Sequence, residues 1–133
     1  MRILGSLAVA IICLVSVGTP GFAHDADHDH AADSSGGGKQ TLTGEVVDVF
    51  CYLSHHEKGL GPDHAGCAKK CIESGMPVAI KVGDQLYLAV MASHDPANKT
   101  LAAWAGKRVT VQGPVMEKDG QHVIAVVSVQ PAN

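Results

Sequence analysis

A β-hairpin is predicted near the carboxyl end of the chain, in the segments Gly106-Lys-Arg-Val-Thr-Val-Gln-Gly113 and Asp119-Gly-Gln-His-Val-Ile124. Both segments are rich in β-branched residues, which is typical of strands. Between them stands Lys118-Asp119-Gly120, which favours a tight turn. We therefore predict two paired strands over residues 107–116 and 122–129.

Three further strands are predicted upstream of this hairpin, over residues 42–52, 77–82 and 85–91. Gly44 indicates a curved or bulged first strand, and Gly83-Asp84 favours a tight turn between the second and third. Residues 96–105 form a short predicted helix, because Gly106 is a suitable carboxyl-terminal cap. The predicted order is strand, insert, two strands, short helix and two strands.

This order, together with the carboxyl-terminal hairpin, resembles the OB-fold barrel of small secreted domains over residues 41–130. The resemblance implies a mainly β fold. The implied fold is a five-stranded OB-like barrel, with a helix inserted between strands 1 and 2 and a short helix between strands 3 and 4. Function is left open by this resemblance, because the barrel serves many unrelated binding tasks.

The amino-terminal region is expected to be removed or unstructured. Arg2 precedes an apolar run over residues 3–17, and Gly21-Phe22-Ala23 matches a signal-peptidase site, which predicts a signal peptide over residues 1–23. Residues 24–39 are poor in apolar residues and are predicted to form a disordered tail, leaving residues 40–133 as one domain. The mature protein is expected to be soluble, periplasmic or secreted, with no membrane segment after signal cleavage.

The tail is rich in metal-capable side chains, since it begins His24-Asp-Ala-Asp-His-Asp-His30. A flexible strand of this composition can wrap around Cu²⁺, Ni²⁺ or Zn²⁺. A solvated acidic linker explains the same composition, and the two interpretations stay open.

Charge and motif content exclude several classes of function. Without Arg2, nine Lys and Arg residues stand against thirteen Asp and Glu, and no basic cluster exceeds a pair such as Lys69-Lys70. Nucleic acid is therefore not an expected partner. The sequence has no Ser-His-Asp set, paired carboxylates or phosphate-binding glycine loop, and we predict that the protein is not an enzyme.

An odd number of cysteines remains after signal cleavage: Cys51, Cys67 and Cys71. Residues 62–74 predict a helix, with Gly75 as its left-handed cap and Pro77 preventing continuation. On this helix His64, Cys67 and Cys71 have i, i+3, i+7 spacing and share one face. If Cys51 approaches from the first strand, the four side chains form a Cys₃His metal site for Cu(I) or Zn(II).

The cysteines have two other interpretations. Cys67, near the start of the helix, could be a reactive thiol that attacks disulfides or peroxides, but the chain lacks the Cys-x-x-Cys motif that thioredoxin-like oxidoreductases carry at a βαβ helix start. A disulfide from Cys51 to Cys67 or Cys71 would staple the insert to the barrel and leave one thiol. His55 and His56 fit solvated loop positions, although they could replace His64 as a ligand or bind a second ion. The Cys67-x-x-x-Cys71 pair also resembles that of copper-handling Sco-type and dinuclear-copper oxidase domains, which have other folds, and no residue role is carried over.

From these observations we expect an exported metal-binding protein that binds or delivers copper through Cys51, His64, Cys67 and Cys71, with a metal-acceptor protein as partner. The alternative is an OB-like ligand- or partner-binding module whose cysteines form a structural zinc site or a disulfide staple.

Overall fold

Residues 38–133 are described by the computed structural model, and they contain six strands, three α-helices and two short 3-10 turns. In chain order these are β1 (Lys39–Asp48), α1 (Val49–His55), a 3-10 turn (His56–Gly59), α2 (Gly61–Glu73), β2 (Val78–Val82), β3 (Gln85–Met91), α3 (Asn98–Leu101), a second 3-10 turn (Ala102–Trp104), β4 (Arg108–Lys118), β5 (Gln121–Val126) and β6 (Ser128–Pro131). The predicted signal peptide and residues 24–37 of the predicted tail lie outside the described residues. Lys39, which that tail prediction included, already pairs with Pro114 in β1.

The strands close into a five-stranded mixed barrel, as the OB-like resemblance implied. Its order is β1-β2-β3-β5-β4, and β1 also pairs with β4, which closes the ring. All of these pairings are antiparallel except β3 with β5, which is parallel. The expected fold class is therefore confirmed, including the helical insert between strands 1 and 2 and the short helix before β4.

The last strand of the barrel continues into β6 after a bulge at Val127. Ile124 is opposite Val115, and Ser128 is opposite Gln112. Three residues separate Ile124 from Ser128, but only two separate their partners on β4. The β5–β6 side therefore has one extra residue. Val127 itself donates its backbone N–H to the Gln112 carbonyl oxygen at 2.8 Å. A bulge of this kind bends a strand and increases its twist, which helps a small barrel to close.

The core fills the barrel and extends under α2. Its buried members are mostly β-branched or small: Val46, Ala68, Ile72, Val78, Ile80, Ala89, Ala97, Leu101, Ala102, Ala105, Val109, Val111, Ile124 and Val126. Ala68 and Ile72 are one turn apart on α2, so this helix packs one face on the barrel. Most core residues belong to the strands and α3, and few belong to the insert.

The predicted first strand is wrong beyond Asp48. Residues 49–52 were expected to extend it to Tyr52, yet Val49–His55 is helical. Asp48 has extended backbone angles, and its Oδ1 accepts a hydrogen bond from the backbone N–H of Cys51 at 2.6 Å. Such an N-cap satisfies a donor that the first helical turn leaves free, and it outweighs the strand preference of the Val, Phe and Tyr that follow.

Candidate metal centre

Helix α1 places Cys51 inside the molecule. Cys51 is 5% exposed, whereas Phe50 and Leu53 on the same helix are 61% and 60% exposed. The N-cap residue Asp48 is fully buried directly before the helix. The sharp change from strand to helix therefore turns the Cys51 side chain toward α2 instead of along the barrel wall.

Helix α2 is fixed at both ends. Its first residue, Gly61, donates its N–H to Glu45 Oε1 of β1 at 2.6 Å. At the other end Gly75 has a φ of 101°, Gly75 N–H bonds to the Ile72 carbonyl, and Met76 N–H bonds to the Cys71 carbonyl. These two bonds form a Schellman motif, and they confirm the predicted cap at Gly75.

Cys67 and Cys71 lie one turn apart on α2, next to the row formed by Ala68 and Ile72. Since that row packs on the barrel, the cysteine row faces the side of α2 where α1 lies. The sulfur atoms of Cys51, Cys67 and Cys71 all lie within 4.8 Å of one another. This arrangement brings together three of the four residues that the sequence predicted as ligands.

The distances suit a shared metal ion. Two sulfurs bound to one tetrahedral ion at about 2.3 Å are about 3.8 Å apart, and Cys51 Sγ is 3.9 Å from Cys71 Sγ. All three thiols are free. The three sulfurs are therefore close enough together to hold a thiophilic ion.

The three sulfurs differ in their access to solvent. Cys51 is buried, Cys71 is half-buried and Cys67 is exposed. An ion bound here would be shielded on the side of α1 and reachable on the side of Cys67. This asymmetry allows an incoming ligand to approach without unfolding the insert.

The environment of Cys51 favours its protonated form. Burial, with smaller contributions from the Asp48 carboxylate and the Cys71 thiol, raises the pKa of Cys51 from 9.0 to about 12. The thiolate is the form that binds metal. A metal ion must therefore displace a proton from Cys51 at neutral pH.

His64, the fourth predicted ligand, is near this cluster in sequence but does not join it in the structure. Within residues 38–133, the group whose ligand atoms all lie within 4.8 Å of one another contains the three cysteines and not His64. Its Nε2 is nonetheless buried with no hydrogen-bond partner, and its ring centroid is 6.4 Å from that of His55. A role for His64 as the fourth ligand stays a prediction.

Among the other histidines of residues 38–133, three are exposed and His122 is half-buried. His55 and His56 are exposed at the end of α1 and line an open cavity with Tyr52 and Lys58. His94 is exposed, and His122 contacts Glu117 with an Nδ1 to Oε2 distance of 3.4 Å.

Sequence reasoning missed Asp48 and Glu45, which position α1 and the start of α2. An N-cap signal for Asp48 was present, because Asp followed by an apolar run is a recognised helix start. Glu45 had no local signal, since its partner Gly61 is distant in sequence.

Comparisons of the chain with models of known protein families, with curated proteins and with solved structures find no match. Within residues 38–133, no helix is both long and apolar enough to cross a membrane. The geometry of the three cysteines is therefore the main guide to function.

Proposed function

We propose that the protein binds a thiophilic metal ion, with Cu(I) as its principal cargo, through Cys51, Cys67 and Cys71. The observation that carries the proposal is the approach of three sulfur atoms to within 4.8 Å from two separate helices. Thiolates are the donors that Cu(I) prefers, and carboxylate-preferring ions such as Mg²⁺ and Ca²⁺ are poorly served by them.

Access to the cluster supports a carrier more than a permanent structural centre. The exposed Cys67 lets a competing thiol or an acceptor protein reach a bound ion. Most of the core lies in the barrel and α3, so the fold has its own source of stability without metal. Export through the predicted signal peptide belongs to the same proposal, because an exported carrier handles copper outside the cytoplasm.

A structural zinc site is the second candidate, and one observation favours it. The buried Nε2 of His64 has no partner, and an unpaired buried polar atom is costly. A side-chain movement that brought this nitrogen to a Zn²⁺ ion on the three cysteines would pair it and complete a tetrahedral Cys₃His set. In contrast, three thiolates suffice for Cu(I), so the two candidates differ in their need for His64.

The test is a metal competition on protein without the first 23 residues, kept reduced. We expect about one ion bound tightly per chain, with Cu(I) displacing Zn(II). The double substitution of Cys67→Ser and Cys71→Ser should abolish this binding, and Lys70→Ser on the same helix is the matched control. Retention of full tight binding by the double variant would refute the site.

The carrier role has its own test. After chelation, the circular-dichroism signal of the strands should persist, and the ion should pass to a competing thiol without denaturant. Loss of the strand signal on chelation, with Zn(II) outcompeting Cu(I), would replace the carrier with a structural zinc domain, since structural zinc supplies folding energy.

A further inference from the structure

The three sulfur pairs of the cluster differ in their ability to form a disulfide. Cys67 and Cys71 are four residues apart on α2, where Cβ atoms are about 5–6 Å apart, and a disulfide requires about 3.5–4.5 Å. A bond between them would distort the helix. Cys51 and Cys71 lie on different helices with their sulfurs 3.9 Å apart, so side-chain rotation can bring them together.

The thiol that first reacts with the oxidant need not be part of the final disulfide. Cys67 is the exposed thiol, so a reagent from solvent meets it first. Cys51 is 5% exposed and lies within 4.8 Å of both other sulfurs. A bond started at Cys67 can therefore be transferred inward through Cys51.

We propose that the metal-free cluster reacts with disulfide compounds by thiol–disulfide exchange, and that it ends as a Cys51–Cys71 disulfide with Cys67 as the free, attacking thiol. The reaction rests on the proposed metal binding in one respect only: a bound ion would hold the same sulfurs and compete with oxidation. The substrate is a small disulfide, R–S–S–R.

The exchange proceeds in three balanced steps. The Cys67 thiolate attacks one sulfur of R–S–S–R, the S–S bond breaks, and R–S⁻ leaves and takes up the proton that Cys67 lost. Cys51, losing its proton, then attacks the Cys67 sulfur and expels the second R–S⁻, which takes up that proton. Finally Cys71 attacks the Cys51 sulfur and passes its proton to Cys67, which leaves as a thiol. Two cysteine thiols have lost two electrons and two protons, and the disulfide substrate has become two thiols.

Oxidation and metal loading then exclude each other. The oxidised cluster retains one thiol, Cys67, which cannot hold an ion tightly alone. A thiol reductant regenerates three donors. The protein would accept metal only while reduced.

The sequence allows a direct assignment of the bond. Trypsin cleaves after Lys39, Lys58, Lys69, Lys70 and Lys81, so the three cysteines fall on three separate peptides, residues 40–58, 59–69 and 71–81. Metal-free, reduced protein is treated with oxidised glutathione, the free thiols are alkylated, and the digest is analysed by mass spectrometry. We expect the first and third peptides to be joined and the Cys67 peptide to be alkylated. A final disulfide that contains Cys67, or a persistent Cys67–glutathione adduct, would overturn the proposal.

Variants separate the roles of the cysteines. Cys67→Ser should still form the Cys51–Cys71 bond, but roughly tenfold or more slowly, because the accessible attacking thiol is gone. Cys71→Ser should stop the exchange at the Cys51–Cys67 disulfide. Lys70→Ser should behave as the wild type. Equal oxidation rates in Cys67→Ser and wild type, with matching strand circular dichroism, would refute the attacking role of Cys67.

A parallel reaction on metal-loaded protein distinguishes the two proposals. We expect loaded protein to resist oxidation until a chelator is added. If no ion binds while the metal-free reaction gives the expected bond, the metal proposal fails and the exchange stands. If ions bind tightly but the Cys51–Cys71 bond does not form, the exchange alone fails.

Discussion

The side-chain amide of Asn98 joins α3 to the end of α2. Its Nδ2 donates to the carbonyl oxygen of Ile72 at 2.8 Å and to that of Met76 at 2.6 Å. An amide nitrogen carries two hydrogens, so both bonds can form at once. Asn98 thereby holds the end of α2, which carries Cys71, against α3.

Replacing Asn98 by Ala should lower the free energy of unfolding by about 1–2 kcal/mol, because two hydrogen bonds at a half-buried position are lost. Asn98→Asp should cost more, since a carboxylate would face two carbonyl oxygens. Chemical denaturation of the metal-free protein measures both effects, with the exposed neighbour Lys99→Ala as the control. Equal stability of all three variants would show that the clamp contributes nothing.

Gly59 packs against the backbone of α1, and this contact predicts a selective loss of metal affinity. A Cβ at Gly59 would lie 2.8 Å from Tyr52 Cα and 2.9 Å from the Cys51 carbonyl oxygen. Gly59→Ala must therefore push α1 and the 3-10 turn apart, and we expect Cys51 to shift with α1. We expect metal affinity to fall by about tenfold or more, which corresponds to about 1.4 kcal/mol.

The matched control for this change is Gly66→Ala, because a Cβ at Gly66 of α2 meets nothing within 4 Å. It should keep the affinity and stabilise α2 by up to about 1 kcal/mol. Metal titration and thermal unfolding of the two variants provide the comparison. Unchanged affinity in Gly59→Ala would mean that the position of α1 does not matter to the site.

His64→Ala should separate copper from zinc binding. We expect Cu(I) affinity to be retained on three sulfurs and Zn(II) affinity to fall by about tenfold or more, because tetrahedral zinc would lose its fourth protein ligand. His55→Ala, whose ring lies beside that of His64, is the control and should leave both affinities unchanged. A parallel loss of Cu(I) affinity in His64→Ala would make His64 a ligand for both ions.

The raised pKa of Cys51 predicts alkaline weakening of the metal-free protein. Between pH 9.0 and about 12 the unfolded thiol ionises while the folded one keeps its proton. The folded state then binds more protons than the unfolded state, so the free energy of unfolding falls as pH rises through this range. This stabilising contribution is fully present below pH 9.0.

Urea unfolding on either side of pH 9.0, with chelator and reductant, provides the measurement. Cys51→Ala should lose less stability with rising pH than the wild type does, whereas Cys67→Ala keeps the buried thiol and should follow the wild type. If the free energy of unfolding falls equally with pH in wild type and Cys51→Ala, the buried thiol is not a source of the pH dependence.

Local patterns predicted the barrel well because their physical cause is local. β-Branched runs and the Gly83-Asp84 pair specify the β2–β3 hairpin, whose Val82 and Gln85 are paired as expected. Gly75 likewise specified the end of α2, since its left-handed conformation suits glycine. These signals do not depend on distant parts of the chain.

The backbone conformation from Asp48 to Cys51 was harder to predict from the sequence. Val49, Phe50 and Tyr52 favour strands by type, and only the N-cap bond of Asp48 changes the direction of the chain. The helical spacing of Cys67 and Cys71 was predictable, but the direction from which Cys51 approaches depends on α1. The relation of His64 to the sulfurs depends on the same packing, which no local pattern reports.

The insert leaves and rejoins the barrel at adjacent points. Asp48 and Val78 are paired across β1 and β2, and Val49 N–H donates to the Pro77 carbonyl oxygen at 3.0 Å directly beyond them. The barrel register is thus complete on either side of residues 49–77. A change in the length of the loop at residues 56–60, or in the candidate donor residues, therefore need not re-register a strand, as long as Ala68 and Ile72 keep their places in the core.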